Sequence, residues 1–420
     1  MIHHRKLIQF VFSALSGLAV LGVFADEYPI SDSLSVDQAL VLALETHPLI
    51  QSAEGQFKAA KSDLNASRWS RFPTVATGTQ ESSDKIKKDS TTVSLPLWAG
   101  GRINADIDLA KSRRNGALSG ISEAQQTVML DTVGQFFDYF KSEKKLLISS
   151  ENVDEHQRLY EIIERRVAAA TSADVDAMLA LARLQYAKSA KIQSRSKRNI
   201  AKASLELLVD RDVSSVQVFR QPEPLTMGVD EAVSVGISVS PKIARIEFEA
   251  AGFDATIQSA RSALYPQVSL GYEYGKTHGG SLNGQVDEET FVSVQFQPGA
   301  GLSVASSVKA AKLRKQSALD SLEAEKRILR RQIKSAWNEY VSVSVQLKPS
   351  KMLVEATSSV IESYLRQYAV GKKSWLDVLN AQREATQAKN TLVDFEVLYL
   401  TSLYRLKILL NEINPNLLGV

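Results

Sequence analysis

The amino-acid sequence predicts a mainly α-helical protein with a small β part, in which one plan of elements occurs twice. Three observations predict this fold class. Segments of the first half recur in the second half about 200 residues later. Each half contains two short runs of alternating apolar residues, which is the pattern of half-buried strands. Each half then continues with more than a hundred residues dominated by strong helix formers.

The first 25 residues have the features of an export signal. Arg5 and Lys6 precede an apolar run, and Val23 and Ala25 are the small residues that a signal peptidase accepts before a cleavage site. The sequence therefore predicts a signal peptide over residues 1–25. An N-terminal membrane anchor is the alternative, and the polar residues that interrupt the apolar run disfavour it.

Composition limits what the exported chain can be. The sequence contains no cysteine, which excludes disulfides and thiolate metal sites. The formal net charge of +3 falls to +1 without Arg5 and Lys6, and such a balance gives no reason to expect a nucleic-acid partner. The five histidines show no metal-ligand spacing, so neither a metal site nor a cofactor is predicted.

The repeat can be followed along the chain. The segment SVDQAL, which begins at residue 35, corresponds to GVDEAV, which begins at residue 228. Much later, Asp174–Val175 corresponds to Asp377–Val378. A match of this length indicates a tandem duplication. The first repeat is predicted over residues 26–221 and the second over residues 222–420.

Each repeat is predicted to contain the same elements in the same order. A short amphipathic helix precedes an X-Pro step, because proline disfavours helix in the residue before it. A helix of some twenty residues, a hairpin and a pair of very long helices follow. The hairpins are expected at about 72–98 and 265–297, and the long helical pairs at about 101–220 and 302–412, with turns at 168–174 and 370–377.

The strands set a condition on assembly. Strands of about ten residues are long enough to span an outer membrane when they tilt. Two hairpins supply only four strands, which cannot close a barrel, and open strand edges cannot face lipid. Three copies would supply twelve strands, so the sequence predicts a homotrimer.

Glycines mark the passage from each hairpin to the long helix that follows it. Glycine tolerates positive φ, so it lets the backbone swing from sheet to helix at little steric cost. A dinucleotide-binding loop is the alternative, but Val304 stands where its third glycine would be. The predicted hinges are Gly100 and Gly101 in the first repeat and Gly299 and Gly301 in the second.

Large aromatic residues accompany the same joints. Amphipathic rings favour the boundary between membrane and water, so an interface girdle is predicted. Ordinary packing at a crowded joint is the alternative. The residues concerned are Trp69, Phe72, Trp98, Tyr265 and Phe296.

Two segments carry a resemblance to a known family. VSLPLWAGGRINADIDLAK begins at residue 93, and VGKKSWLDVLNAQREATQAKN begins at residue 370. With them, essentially the whole chain after the signal resembles the TolC-like outer-membrane efflux protein family. The resemblance implies a trimer with a 12-stranded β-barrel in the outer membrane and an α-helical tunnel in the periplasm. It also implies a periplasmic adaptor (membrane fusion protein) and an inner-membrane pump, either ABC-type or proton-driven.

The resemblance also implies a periplasmic gate at the turns between the long helices. Asp377 matches the acidic position of a constriction, and Asp174 is its expected counterpart in the first half. Lys373 and Tyr368 match members of a network that constrains the closed state. Asn380 stands where a second carboxylate often occurs, which makes the expected ring less acidic. The alternative is that Asp377 only caps or solvates its turn.

Two other classes of protein are alternatives to an outer-membrane exit channel. An enzyme is disfavoured because no catalytic motif occurs. A periplasmic coiled-coil adaptor or structural stalk would explain the long helices but leaves the duplicated hairpins unexplained. The cargo stays open between a secreted protein (type I secretion) and small molecules, because specificity should reside mainly in the pump.

Overall fold

The computed structural model describes residues 33–82, 86–218, 222–279 and 283–418. The predicted signal peptide and residue 221, at the predicted junction, lie outside the described residues. Helices dominate the structure and strands are few, which confirms the predicted mainly helical fold class.

The first half contains four helices and four strands. Its first two helices are short, a hairpin follows them, and two long antiparallel helices complete it. The elements are β1 (Ser33–Leu34), α1 (Val36–Thr46), α2 (Pro48–Trp69), β2 (Thr74–Glu81), β3 (Lys87–Trp98), α3 (Arg102–Ala168), α4 (Asp174–Val209) and β4 (Ser215–Val216).

The second half presents two short helices, a hairpin and two long helices in the same order. A single 3-10 turn (Ala300–Leu302) separates its hairpin from the first long helix. The elements are α5 (Val229–Val239), α6 (Pro241–Ser262), β5 (Gln267–His278), β6 (Val286–Gln295), α7 (Ser303–Ala369), α8 (Trp375–Leu409) and α9 (Pro415–Leu418).

Short polar motifs start the first helices of each half. The Ser35 hydroxyl accepts a hydrogen bond from the Gln38 amide at 3.1 Å, and the Gln38 side chain accepts one from the Ser35 amide, which forms a capping box. Proline occupies the first position of both α2 and α6, where its missing N–H costs nothing. In the second half Gly228 is the N-cap of α5.

The long helices run without interruption. Helices α3 and α7 each contain 67 residues, which corresponds to about 100 Å at 1.5 Å per residue. Helix α7 continues through Pro349 in its interior, although proline removes one intrahelical hydrogen bond there.

The two hairpins form one antiparallel four-stranded sheet in the order β2–β3–β5–β6. Its strands extend further toward the hairpin tips than the apolar alternation indicated. Residues 87–90 and 275–278, which show no apolar alternation, belong to β3 and β5. Polar cross-strand contacts support these extensions, since Thr79 Oγ1 donates to Asp89 at 2.8 Å and His278 Nε2 lies 3.1 Å from the same carboxylate.

The largest apolar core surrounds the middle of the long helices. Helix α1 packs there against α3 and α4, and α8 closes the cluster from the second half. Phe136, Phe137 and Tyr139 of α3 are fully buried, and the Phe137 ring lies 5.5 Å from that of Tyr404 in α8. This cluster fixes the two halves against each other.

The packing of the helices defines two rows. On the side of the core away from the sheet, the order is α4–α3–α8–α7, because α3 packs against both α4 and α8. Nearer the sheet the order is α2–α3–α6–α7. Elements of the first half therefore lie at one end of each row, and α7 of the second half lies at the other.

Candidate functional site

The two long helical pairs end at turns that pack together, at the opposite end of the helices from the sheet. The α3–α4 turn occupies residues 169–173 and the α7–α8 turn residues 370–374. Buried apolar side chains from both pairs form one cluster here, called the tip cluster. Its buried members are Leu159, Ile163, Ala180, Tyr368, Trp375, Val378 and Leu379.

Both turns use the same backbone geometry. In the first, Ala170 has a φ of 55°, the Thr171 amide donates to the Arg166 carbonyl at 2.8 Å, and the Ala170 amide donates to that of Val167 at 2.9 Å. In the second, Gly371 has a φ of 76° and makes the equivalent bond. These are the paired bonds of a Schellman motif. The first turn therefore holds alanine where the second holds glycine.

Asp377 caps the start of α8. Its carboxylate accepts hydrogen bonds from the Ser374 hydroxyl at 2.8 Å and the Ser374 amide at 3.1 Å, and the Ser374 hydroxyl accepts from the Asp377 amide. The Ser374 hydroxyl lowers the pKa of the Asp377 carboxyl most, its amide lowers that pKa further, and the charge of Lys373 adds to the effect. Asp377 is therefore a carboxylate at neutral pH, held in place by its own turn.

The pairing of Asp174 with Asp377 that the repeat indicated is wrong by two residues. Ala173 is the N-cap of α4 and Ser374 is the N-cap of α8. Asp377 is the third residue of α8, and the third residue of α4 is Asp176. Asp174 is the exposed first residue of α4, where a carboxylate interacts favourably with the positive end of the helix dipole. The sequence match failed because it aligned Asp-Val dipeptides rather than caps.

Tyr368 joins the two halves at the tip. Its ring is buried and lies 5.6 Å from that of Trp375. The Arg166 guanidinium of α3 lies 4.6 Å from the centre of the Tyr368 ring and donates to the Tyr368 carbonyl at 3.3 Å. A cation over an aromatic face is attracted by the ring quadrupole. Arg166 was not predicted, because no local pattern distinguishes it from its neighbour Arg165.

Lys373 and Asn380 lie on either side of Asp377 in the chain. The Lys373 ammonium lies 4.4 Å from the centre of the Tyr364 ring, one helical turn before Tyr368. Asn380 follows one turn after Asp377 and is half-buried. The structure thus gathers four of the five predicted gate residues around one turn, while Asp174 belongs to the other.

Polar side chains tie α3 to α8 above the tip. Asn152 accepts hydrogen bonds from Thr386 at 3.0 Å and from Gln382 at 3.4 Å. The sequence does not predict these contacts, because they join residues more than 200 positions apart. The only available signal was a spacing of seven between Lys145 and Asn152, which places both on one side of a helix.

Two ion pairs also join α3 to α8. Lys389 lies 2.9 Å from Glu151, and Lys145 lies 2.7 Å from Asp394. Both pairs are partly exposed, so each stabilises this contact by only about 0.2–1 kcal/mol. The contact between α3 and α8 is therefore stabilised mainly by the apolar clusters, and the polar contacts add a smaller contribution.

The four predicted hinge glycines all have positive φ, with values of 60° at Gly100, 88° at Gly101, 81° at Gly299 and 57° at Gly301. At Gly100 space is also restricted, since an added Cβ would lie 2.8 Å from the Ser262 carbonyl oxygen. The first joint is therefore a close crossing of the chain over the end of α6 as well as a bend.

The predicted interface aromatics lie where the sheet meets the helices. The Trp69 and Phe72 rings are 4.9 Å apart, and the Trp98 and Tyr265 rings are 6.0 Å apart. Each of the five rings leaves 46–66% of its residue exposed. The two rings of each pair therefore contact each other, and all four rings remain partly exposed at the surface.

The two faces of the sheet differ in chemistry. One face carries large apolar side chains that are exposed, among them Val75 at 67%, Val292 at 61% and Val294 at 66%. The opposite face carries mainly small and polar side chains, and Thr92 and Ser94 of β3 are examples. Exposed apolar surface of this extent marks an interaction surface.

Within the described ranges, no helix is both long and apolar enough to cross a membrane. In the same part of the chain, histidine, aspartate and glutamate side chains form no group of three or more that could hold a metal ion.

Comparison with known proteins identifies relatives along most of the chain. The family model described as outer membrane efflux protein matches residues 39–210 and 237–412. The cobalt-zinc-cadmium resistance protein CzcC of Cupriavidus metallidurans is 20% identical over 89% of this chain and 88% of its own length. The alkaline protease secretion protein AprF of Pseudomonas aeruginosa is 22% identical over 60% of this chain, and the match spans about half (54%) of AprF.

Solved structures share the fold. The open state of the MtrE outer membrane channel of Neisseria gonorrhoeae has a TM-score of 0.76 and 17% sequence identity, and the match covers 89% of this chain and 88% of MtrE. A likeness at this level of identity concerns the fold alone. The family model, which matches both halves, is decisive: the chain belongs to the outer membrane efflux protein family, whose members are outer-membrane transport channels and not enzymes.

Proposed function

We propose that this chain forms a homotrimer that encloses one continuous conduit, a 12-stranded barrel in the outer membrane and a helical tunnel in the periplasm. The observation that carries the proposal is that the protomer is open at the same two edges at every level. One edge consists of β2, α2 and α4, and the other of β6 and α7. A threefold axis would join the two edges at all levels at once.

The sheet supports this closure through its unpaired edges. Strands β2 and β6 lie at the two ends of the sheet. Open strand edges leave backbone N–H and C=O groups without partners, which hydrocarbon does not tolerate. Pairing β6 of one copy with β2 of the next satisfies both edges and yields twelve strands from three copies.

The helices support the same closure. The side of α4 that faces away from α3 is exposed and uncharged over more than thirty residues. An exposed face without charge on so long a helix is typical of an interface. We assign it to a second copy of this chain, whose α7 presents a matching apolar face. The residues on α4 are Val175, Met178, Ala182, Gln185, Tyr186, Ser189, Ile192, Gln193, Ser196, Asn199, Ile200, Ala203 and Leu207, and those on α7 are Val341, Val345, Met352 and Val360.

In this assembly the apolar face of the sheet contacts lipid and the polar face lines the lumen. The exposed aromatic rings at the joint then lie at the periplasmic boundary of the membrane, where amphipathic rings are favoured. The hinge glycines form the passage from barrel to tunnel. Both halves contain two short helices, a hairpin and two long helices in the same order, which supports an origin by tandem duplication, with repeats at 26–221 and 222–420 after a signal peptide at 1–25.

Membership of the family supports a proposal about the partners. We propose a periplasmic adaptor (membrane fusion protein) and an inner-membrane pump, of the ABC or proton-driven kind. The printed names of two relatives differ in cargo, since AprF is named for protease secretion and CzcC for metal resistance. Both cargo classes, a secreted protein and small solutes, therefore remain candidates, and a neighbouring gene for an ABC exporter or for a proton-driven pump would decide between them.

We also propose that the tip cluster is the periplasmic gate. Three copies of Asp377 around the threefold axis would form a negatively charged ring that attracts cations. Arg166 and Tyr368 hold α7 against α3, and the contacts of Asn152 hold α8 against α3, so their release would let α7 and α8 move outward. The capping role of Asp377 fits this proposal, because the cap fixes the carboxylate at the start of α8.

Two measurements test the proposal. Extraction of membranes should release the chain only with detergent, as a trimer that conducts ions in planar bilayers. A water-soluble chain would instead support the coiled-coil stalk. For the gate, Asp377→Asn should weaken the effect of added divalent cations on conductance, while Asp176→Asn, at the same helix position in α4, should not. If divalent cations change the conductance equally in both variants and in the parent, Asp377 does not lie at the constriction.

A further inference from the structure

One aromatic side chain lies on the polar face of the sheet. Phe291 of β6 pairs in register with Gly271 of β5, and Gly271 pairs with Ser94 of β3. Among the described strand residues on this face, Phe291 is the only aromatic one. Its neighbours along β6 on the same face are Glu289 and Ser293. An aromatic ring in this polar setting therefore calls for a physical reason.

The ring of Phe291 lies across Gly271 instead of standing away from the sheet. A Cβ added at Gly271 would lie 2.6 Å from Cε2 and 3.0 Å from Cε1 of the ring, and closer still to Cζ. The far end of the ring thus occupies the space that any other residue at 271 would fill. Gly271 is buried and Phe291 is half-buried, as expected when one covers the other. A glycine beneath a cross-strand aromatic is a recognised packing device in sheets.

We propose that Gly271 and Phe291 together set the bore of the barrel. The inference rests on the proposed trimeric channel, in which this face lines the lumen and three Phe291 rings lie at one level. Gly271 provides a recess that keeps each ring against the wall. A side chain at 271 would push the ring toward the axis by about 1 Å or more, because carbon atoms settle at about 3.5–4.0 Å from each other.

The pair limits the size of solute that can pass. The row across the sheet at this level is Thr74, Ser94, Gly271 and Phe291, so Phe291 has by far the largest side chain on it. Removal of the ring widens the barrel at this level, and loss of the recess narrows it. Phe291 is therefore a size-determining residue and Gly271 a positioning residue that acts through it.

A double-mutant cycle tests the pair. Gly271→Ala, Phe291→Ala and the combined variant are compared with Gly78→Ala, which adds the same methyl group on the same face where the nearest atom, Ser90 Oγ, is 3.9 Å away. The measurement is the largest polyethylene glycol that enters from the extracellular side and alters single-channel current. Entry from that side probes the barrel independently of the periplasmic gate.

The expected shifts have opposite signs. Gly271→Ala lowers the size cut-off, Phe291→Ala raises it, the combined variant matches Phe291→Ala, and Gly78→Ala matches the parent. The proposal is overturned if Phe291→Ala leaves the cut-off unchanged, or if Gly271→Ala lowers it equally without the ring. A parent chain that forms no conducting trimer would instead refute the proposed function.

Cysteine labelling keeps the inference testable if a glycine variant does not assemble. The chain has no cysteine of its own, so a charged, membrane-impermeant thiol reagent reports one introduced site. Phe291→Cys should react about tenfold faster or more than Val292→Cys on the opposite face, because lipid excludes a charged reagent. Equal rates at both positions would refute the assignment of Phe291 to the lumen.

Discussion

The two helix turns of the tip offer a matched pair of backbone perturbations. Ala170 and Gly371 occupy the same position of a Schellman motif, with φ values of 55° and 76°. Ala170→Gly should stabilise the α3–α4 turn, and Gly371→Ala should destabilise the α7–α8 turn. Both changes leave the hydrogen bonds of the turn in place.

The magnitude follows from the backbone alone. Nothing lies within 4 Å of a Cβ added at Gly371, so the substitution creates no collision. The left-handed conformation costs a residue with a Cβ roughly 1–2 kcal/mol. Glycine also makes the unfolded chain more flexible than alanine does, and this offsets about 0.4–1 kcal/mol of its advantage in the folded state. The net change is therefore about 1 kcal/mol at each turn, with opposite signs.

Hydrogen exchange measured by mass spectrometry on the assembled protein reads this change locally. Because 1.4 kcal/mol corresponds to a factor of ten, exchange in the last turn of α3 should slow about fivefold in Ala170→Gly. Exchange in the last turn of α7 should accelerate about fivefold in Gly371→Ala. Peptides from residues 124–139 in the main core serve as the unchanged reference. The same direction of change in both variants would refute the reasoning.

Three further predictions concern the helical part. Burial first, and then the charge of Arg183, lowers the pKa of His156 below its ordinary value of 6.5, so the unfolded chain takes up the proton first as the pH falls. The stability that this lowered pKa contributes is complete above about pH 6.5 and declines below it. His156→Phe should therefore reduce the fall in melting temperature between about pH 7.5 and about pH 5.5. Ser374→Ala removes the α8 cap and should cost about 1 kcal/mol, seen as faster exchange in the first turn of α8 alone. A double-mutant cycle on Lys145 and Asp394 should give a coupling of about 0.2–1 kcal/mol that shrinks in high salt, and a larger, salt-independent coupling would contradict a partly exposed ion pair.

The sequence predicts only some of the contacts at the tip. The periodicity of α8 places Asp377 near its start, and the residues Ser374 and Asp377 have the spacing of a capping box. No periodicity states that Arg166 lies over Tyr368 or that Asn152 reaches Thr386. Those contacts depend on which faces of distant helices meet, and a sequence pattern defines a face without naming its partner.

The sheet gives the complementary case. Alternation located its apolar strands, because a strand with one buried or lipid-facing side repeats every two residues. Alternation failed at residues 87–90 and 275–278, where both faces are polar and cross-strand hydrogen bonds and ion pairs extend the pairing. Alternation does not predict the Phe291–Gly271 pair either, since the register between β5 and β6 decides which residue an aromatic ring covers.

The sequence by itself determined the mainly helical class, the long uninterrupted helices, the hairpins and the glycine joints. These features depend on local propensity, periodicity and backbone sterics, which a few neighbouring residues specify. Only the tertiary structure decided the row α4–α3–α8–α7, the equivalence of Asp176 with Asp377, and the open edges on which the proposed trimer rests. Such features arise from packing between segments some 200 residues apart, where many registers satisfy the same local pattern and the buried contacts select one.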